Sequence, residues 1–137
     1  MSSQAFRSGR VVTPEGERPA AILVENEAIR GVVPPDRIPR GTTVSDFGDS
    51  AVLPGLVDSH THVNEPGRTE WEGFLTASRA AAAGGYTLIV DMPLNCLPAT
   101  TSVESLELKR SCAANVSTVD FSCWGGVVSD NQEHIER

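Results

Sequence analysis

The sequence predicts an α/β protein in two parts: a small β region over residues 1–53, then the first two to three βα units of a parallel sheet over residues 54–137. Three observations lead there. Up to Leu53 the chain is a series of short β-branched runs cut by Pro, Gly and Asn turns. After Pro54 apolar runs alternate with segments of helical pattern. Within them, YTLIVDMP is continuously apolar, as a strand covered on both faces should be.

In the first part, FRSGRVV, AAILV, AIRGVV, TTVSDFG and DSAVLPG are the strand candidates, expected to form small antiparallel sheet with VENEAI as a hairpin corner. Pro34, Pro35 and Pro39 mark a loop, because proline cannot donate to a central ladder. This part has no histidine and no cysteine, so chemistry is sought after Pro54.

There, GLVDSHTH is the first strand, apolar at its start and polar at its end. TEWEGFLTASRAAAAGG follows as a helix, with Thr69 and Glu72 spaced as a capping box, Trp71, Phe74, Leu75 and Ala82 near one face, and Gly84-Gly85 as the stop. YTLIVDMP is the second strand, and Thr101 with Glu104 opens a helix over about Val103 to Ala114. VSTVDFSCWGGVV is the third strand, and Ser129 with Gln132 opens a third helix that runs to Arg137. That helix has no C-terminal signal and too few residues for the usual three turns. A three-stranded parallel sheet would also leave its edges and an apolar face uncovered. The chain is therefore expected to be a fragment, or a truncated reading frame, of a longer protein.

Composition narrows the partners. Eleven basic against eighteen acidic side chains give a formal charge of -7, which repels a phosphate backbone and offers no polybasic patch to an anionic membrane. No nucleic acid and no membrane partner is expected. The N-terminus lacks a basic region followed by an apolar run, and no stretch approaches the roughly 20 apolar residues of a membrane span, so a cytoplasmic protein is expected. Cys96, Cys112 and Cys123 are odd in number and widely spaced, which suits reduced, mostly buried thiols better than disulfides or a metal knuckle.

The chemistry concentrates in PGLVDSHTHVNEPGRTEWEGF. Residues two apart on a strand point to one side, so Asp58, His60 and His62 are expected to face one way. If the strand belongs to a βα barrel, its C-terminal end lies at the mouth where catalytic groups converge. Two neutral imidazoles there are good ligands for zinc or another divalent first-row metal; two satisfied polar side chains are the plainer account of the same pattern. Asp58 is either an orienting partner of the imidazoles or a cap on its own turn. Asp91 and Asp120 sit on buried-looking strands as hydrogen-bonded structural carboxylates. Trp71 is assigned to the core, Arg68 to a solvated loop and His134 to the surface.

VLPGLVDSHTHVNEPG resembles the cyclic amidohydrolases of the amidohydrolase superfamily, in which a run of the form PG-hydrophobic-hydrophobic-D-x-H-x-H ends the first barrel strand. The continuation NEPGRTEWEGF, then RAAAAGGYT and VDMPLN, is similar to the allantoinase branch of that family, and the resemblance covers nearly the whole chain. It implies the start of a TIM-like (β/α)8 barrel, incomplete here, preceded by part of a small β-sandwich. It further implies a two-zinc centre with His60 and His62 as ligands, other divalent metals being possible. Such a centre is completed by a carboxylated lysine, two further histidines and a catalytic aspartate expected beyond Arg137. The only lysine present, Lys109, lies on a helix where it cannot be that ligand.

The reaction implied is hydrolysis of the hydantoin ring of allantoin to allantoate in purine catabolism, by an enzyme that is a homo-oligomer at full length. The dihydroorotases carry an arginine at the position of Asn64 that grips a substrate carboxylate; allantoin has none, and Asn64 suits it better. Asn95 matches a position that contacts the substrate ring, and is equally a turn-forming asparagine. The alternatives are a dihydroorotase or a dihydropyrimidinase (hydantoinase), or a non-catalytic relative acting in protein assembly. Two imidazoles alone do not make a catalytic zinc site, so the 137-residue chain is expected to have no hydrolase activity by itself.

Overall fold

A computed structural model describes residues 3–134, without the side chain of His134. Contacts divide the chain into two units, Met1–Pro54 and Gly55–Arg137.

The first unit is one five-stranded sheet built around β1 (Ser3–Thr13), with β2 (Gly16–Glu25) and β3 (Ala28–Val33) on one side. VENEAI makes the expected corner between β2 and β3. Asn26 and Glu27 both take positive φ, at 50° and 62°, as a two-residue hairpin turn of this hand requires. The sheet is mixed rather than antiparallel. β4 (Thr43–Asp46) and β5 (Ala51–Val52) both run parallel to β1, because the proline loop after Val33 carries the chain across to the free edge of β1. β1 holds them end to end, with Gln4–Arg7 against β4 and Arg10–Val11 against β5. In the gap between them the Ser8 hydroxyl lies 2.6 Å from the Ser50 carbonyl, and the Gly9 N–H donates to the Gly48 carbonyl at 2.8 Å. Small residues are buried on both faces of the sheet: Ser8, Val11 and Ala20 on one, Ala5 and Ala21 on the other.

The second unit is a three-stranded parallel sheet in the order β6 (Leu56–Thr61), β7 (Tyr86–Asp91), β8 (Asp120–Cys123), with α1 (Phe74–Ala83) and α2 (Val103–Ala113) as the connections. The core between sheet and helices is Val63, Phe74, Ile89 and Ala113, edged by Ala77, Ala81, Cys112, Val119 and Phe121. The Phe74 and Phe121 rings pack at 5.5 Å.

Several boundaries differ from the sequence reading. α1 starts at Phe74, not near Thr69, because the acceptor at its N-terminus comes from elsewhere: Glu65 Oε2 receives the Phe74 N–H at 2.9 Å. Gly73 makes this approach possible, since a Cβ there would stand 3.1 Å from Glu65 Oε2 and 2.9 Å from Thr69 Cγ2. The buried stripe is Phe74, Ala77, Ser78 and Ala81, with Trp71, Leu75 and Ala82 exposed. Gly84 and Gly85 do end the helix, Gly85 at φ 83°. α2 is capped one residue later than expected, by a reciprocal box between Ser102 and Ser105. β8 is only four residues long and its Asp120 is exposed, not buried. The segment opened by Ser129 forms a single 3-10 turn at Gln132–His134, and the remainder of the expected third helix, with the His134 side chain, lies outside the described residues. Among the described residues no helix is long and apolar enough to cross a membrane.

Candidate metal centre

His60 is the penultimate residue of β6 and His62 the first beyond its end, both exposed, with ring centroids 5.2 Å apart and planes inclined by 59°. Asp58 and His62 line one concavity together with Thr61, Glu72 and Ile89, although strict alternation is interrupted between them. Asp58 is in register with Ile89 and Thr61 with Asp91, so β6 spends three residues where β7 spends two. This bulge inverts the phase of the strand between Asp58 and Thr61. Asp58 belongs to the face that Ile89 turns to the helices, and its Oδ1 accepts the His60 N–H at 3.0 Å. The Asp58 carboxylate therefore braces the backbone of the bulge that aims His60.

The peptide after His62 is held from below. Val63 N–H donates to Asp91 Oδ1 at 2.5 Å, and Val63 O accepts from Lys109 Nζ at 3.2 Å. Lys109 and Asp91 also form an ion pair with each other, and all three residues are excluded from solvent. Burial acts against the charge on Lys109, yet the Asp91 carboxylate outweighs it and raises the lysine above its ordinary value. Burial likewise pushes the Asp91 carboxyl up, against the downward pull of Lys109 and of the Val63 N–H. Asp91 is a hydrogen-bonded, buried carboxylate, as expected, and Lys109 is its unexpected partner. The signal was available: Lys109 falls in the inward phase of α2, four residues from both Ser105 and Ala113.

Two loops close over this floor. Asn64 is buried; its N–H donates to Glu72 O at 2.8 Å, its carbonyl accepts the Arg68 N–H at 2.9 Å, and its side-chain Oδ1 has no protein partner among the described residues. Asn95, half-buried, stands in the loop after β7, and its carbonyl accepts from Arg68 Nη1 at 3.2 Å. Arg68 is thus a strut between the two loops, and it lies over the Trp71 ring at 4.9 Å, leaving Trp71 63% exposed rather than in the core. Leu97 N–H donates to Pro66 O at 2.8 Å beside Gly67, whose φ of 89° no β-branched residue would adopt. From just beyond the third strand, Trp124 Nε1 donates to Ser59 O at 3.0 Å. Sequence reasoning did not single out Trp124, and nothing local to it signals a bond to a residue 65 positions away.

The three thiols are free, with Cys96 fully buried, and burial pushes the Cys112 and Cys123 thiols up. None is a poised ligand or nucleophile. Among the described residues no group of three or more His, Cys, Asp or Glu side chains converges on one point. The donor set fits part of a zinc-type site. Two imidazoles 5.2 Å apart are near enough to share one ion, and imidazole is a preferred ligand of zinc.

The profile of the amidohydrolase family matches residues 51–132. The chain belongs to the amidohydrolase family. Its amidohydrolase relatives include the allantoinase of Streptomyces avermitilis, 57% identical over 95% of this chain and 29% of that protein. The mitochondrial allantoinase of Aquarana catesbeiana is 46% identical over 95% of the chain and 27% of its own length. Among solved amidohydrolase structures, the L-hydantoinase (dihydropyrimidinase) of Arthrobacter aurescens superposes on 96% of the chain with a TM-score of 0.84 at 29% identity, over 29% of its length. The chain therefore spans less than a third of the length of the curated relatives it matches. The fold is that of the N-terminal part of these hydrolases.

Proposed function

We propose that this chain supplies the first two ligands of the metal site of an enzyme that hydrolyses the hydantoin ring of allantoin to allantoate. The observation that carries the reading is the pairing of His60 and His62 at the carboxyl end of the first parallel strand, in a chain 57% identical to an allantoinase. A divalent metal held there, two zinc ions in the complete site, supplies Lewis-acid polarisation of the ring carbonyl and an activated water at neutral pH. His60 and His62 hold it. Asp58 keeps the strand bulged behind His60. Asn64, whose enclosed Oδ1 has no partner among the described residues, turns that oxygen toward the ring to accept one of its N–H groups when substrate binds, and it offers no cation to a substrate carboxylate. Asn95 stands on the adjoining loop as a second ring contact, held by Arg68. The remaining ligands and the catalytic aspartate come from later strands. A cytoplasmic homo-oligomer is part of the same proposal.

One observation favours a second reading, ring opening of simpler hydantoins: the superposition on an L-hydantoinase at a TM-score of 0.84. Both substrates share the five-membered cyclic imide, so substrate preference separates them.

The test joins residues 1–132 of this chain to the C-terminal remainder of the Streptomyces avermitilis allantoinase and assays the zinc-loaded hybrid. Allantoin turnover exceeding that of hydantoin and dihydroorotate is expected. His60→Ala and His62→Ala should each reduce it to background, since either leaves a ligand set that no longer closes. A hybrid that prefers hydantoin transfers the assignment to the second reading. A hybrid indifferent to both histidine substitutions refutes the metal-ligand assignment.

A further inference from the structure

We infer that the buried Asp91–Lys109 ion pair is a positioning device for the metal ligands, acting through the backbone of Val63 on His62. The inference rests on the reading of His60 and His62 as metal ligands, and it extends that reading to two residues that are not ligands themselves.

Two charged groups with 0% side-chain exposure are expensive to bury, and an apolar pair of similar volume in the same core is often as stable or more so. The pair therefore calls for a reason beyond stability. Its geometry supplies one. Each partner makes a second bond, and both go to the same residue: Asp91 Oδ1 takes the Val63 N–H, and Lys109 Nζ donates to the Val63 carbonyl. The N–H of Val63 belongs to the peptide plane shared with His62. Fixing that plane, and the next one through the carbonyl, fixes the main chain on the C-terminal side of His62. On its other side, Met92 N–H donates to the Thr61 carbonyl at 2.8 Å, so the backbone of His62 is held at both flanks.

The ladder cannot do this work, because β6 ends at Thr61 and its last regular pairing is with Asp91. His62 lies one residue past regular structure, where a backbone would otherwise be free to turn. The ion pair extends the order of the sheet by two residues, with a side chain from β7 and one from α2 standing in for a neighbouring strand. Metal affinity depends on such preorganisation, and removal of the groups that orient ligands commonly lowers it by about 10–100-fold.

The experiment uses the 137-residue chain and zinc alone as probe, with three readouts: the melting temperature, zinc affinity by competition with a chromophoric chelator, and the nuclear Overhauser contact between the His60 and His62 rings. In Asp91→Leu/Lys109→Met the charges leave together and the core stays apolar, so the protein should melt near the original temperature. Zinc affinity should fall about 10–100-fold, and the contact between the rings should weaken. Asp91→Asn/Lys109→Met restores an acceptor for the Val63 N–H, and should recover part of the affinity at the same stability. This rescue is a result that a merely structural role would not produce.

A folded Asp91→Leu/Lys109→Met chain with unchanged affinity and an intact ring contact overturns the inference. If that variant does not fold, Asp91→Asn/Lys109→Met decides by the same criteria, since it still lacks the donor to the Val63 carbonyl. If the original chain binds zinc no better than His60→Ala/His62→Ala, zinc affinity is measured instead in the hybrid with the Streptomyces avermitilis remainder, where equal affinity with and without the two histidines refutes the metal-ligand reading. The ring contact then decides the positioning claim separately: its loss in the variant upholds positioning, and its persistence overturns it.

Discussion

Lys109 Nζ stands 3.2 Å from the carbonyl oxygen of Val63, although 46 residues separate them in the chain and neither is exposed. A single substitution in this network should be far more damaging than a double one. Lys109→Met leaves Asp91 as a buried carboxylate without its cation, and Asp91→Leu leaves the reverse. Each should cost about 3–5 kcal/mol in urea unfolding, while the double variant should cost much less. A double-mutant cycle with additive losses would show that the two side chains do not act as a pair.

Glu65 caps α1 from outside the helix, accepting the Phe74 N–H at 2.9 Å and placing its charge at the positive end of the helix. Glu65→Ala should lower stability by about 1 kcal/mol, a typical value for a lost N-terminal cap. Thr69→Ala should change stability little, because Thr69 makes no cap bond to the helix. Chemical denaturation of both variants checks the contrast, and the opposite ranking would restore Thr69 as the cap.

Gly67 combines a φ of 89° with a close neighbour: a Cβ there would stand 2.6 Å from both the Cβ and the carbonyl oxygen of Leu97. Gly67→Ala should push the two mouth loops apart, at a cost of about 1–3 kcal/mol. The amide of Leu97, bonded to Pro66, should exchange with deuterium faster in the variant while the amides of β7 are unaffected. Equal exchange in both proteins would mean that the loops are not joined at this point.

Burial raises the Cys112 and Cys123 thiols, and Cys96 is fully enclosed. At pH 7.5 all three should react with a disulfide reagent more slowly than a free cysteine, and all three should react quickly in denaturant. A single fast thiol in the native chain would identify a microenvironment that favours thiolate.

Much of the second unit was legible because its signals are local. The apolar run of YTLIVD, the Gly84-Gly85 stop and the HTH spacing each depend on neighbours within a few residues, and each stands where expected. What failed depended on residues distant in sequence. The α1 boundary moved because its cap is Glu65 rather than Thr69. The mixed first sheet followed from a crossover after the proline loop, which no alternation pattern encodes. At the site, the family resemblance singled out His60, His62 and Asn64. The bulge that sets their direction, and the Lys109–Asp91 pair beneath them, lie in tertiary geometry.

The indole of Trp124 spans from the residue after the third strand to the carbonyl of Ser59 on the first, over the middle strand. In a sheet whose strands lie about 4.8 Å apart, that is a tie across two spacings. It works as a cross-brace. Slipping either outer strand by one residue, about 3.3 Å, would break a bond that belongs to no ladder. The relative height of the three strand ends is thereby set twice, once by backbone pairing and once by a diagonal, and the histidines inherit a platform that resists shear.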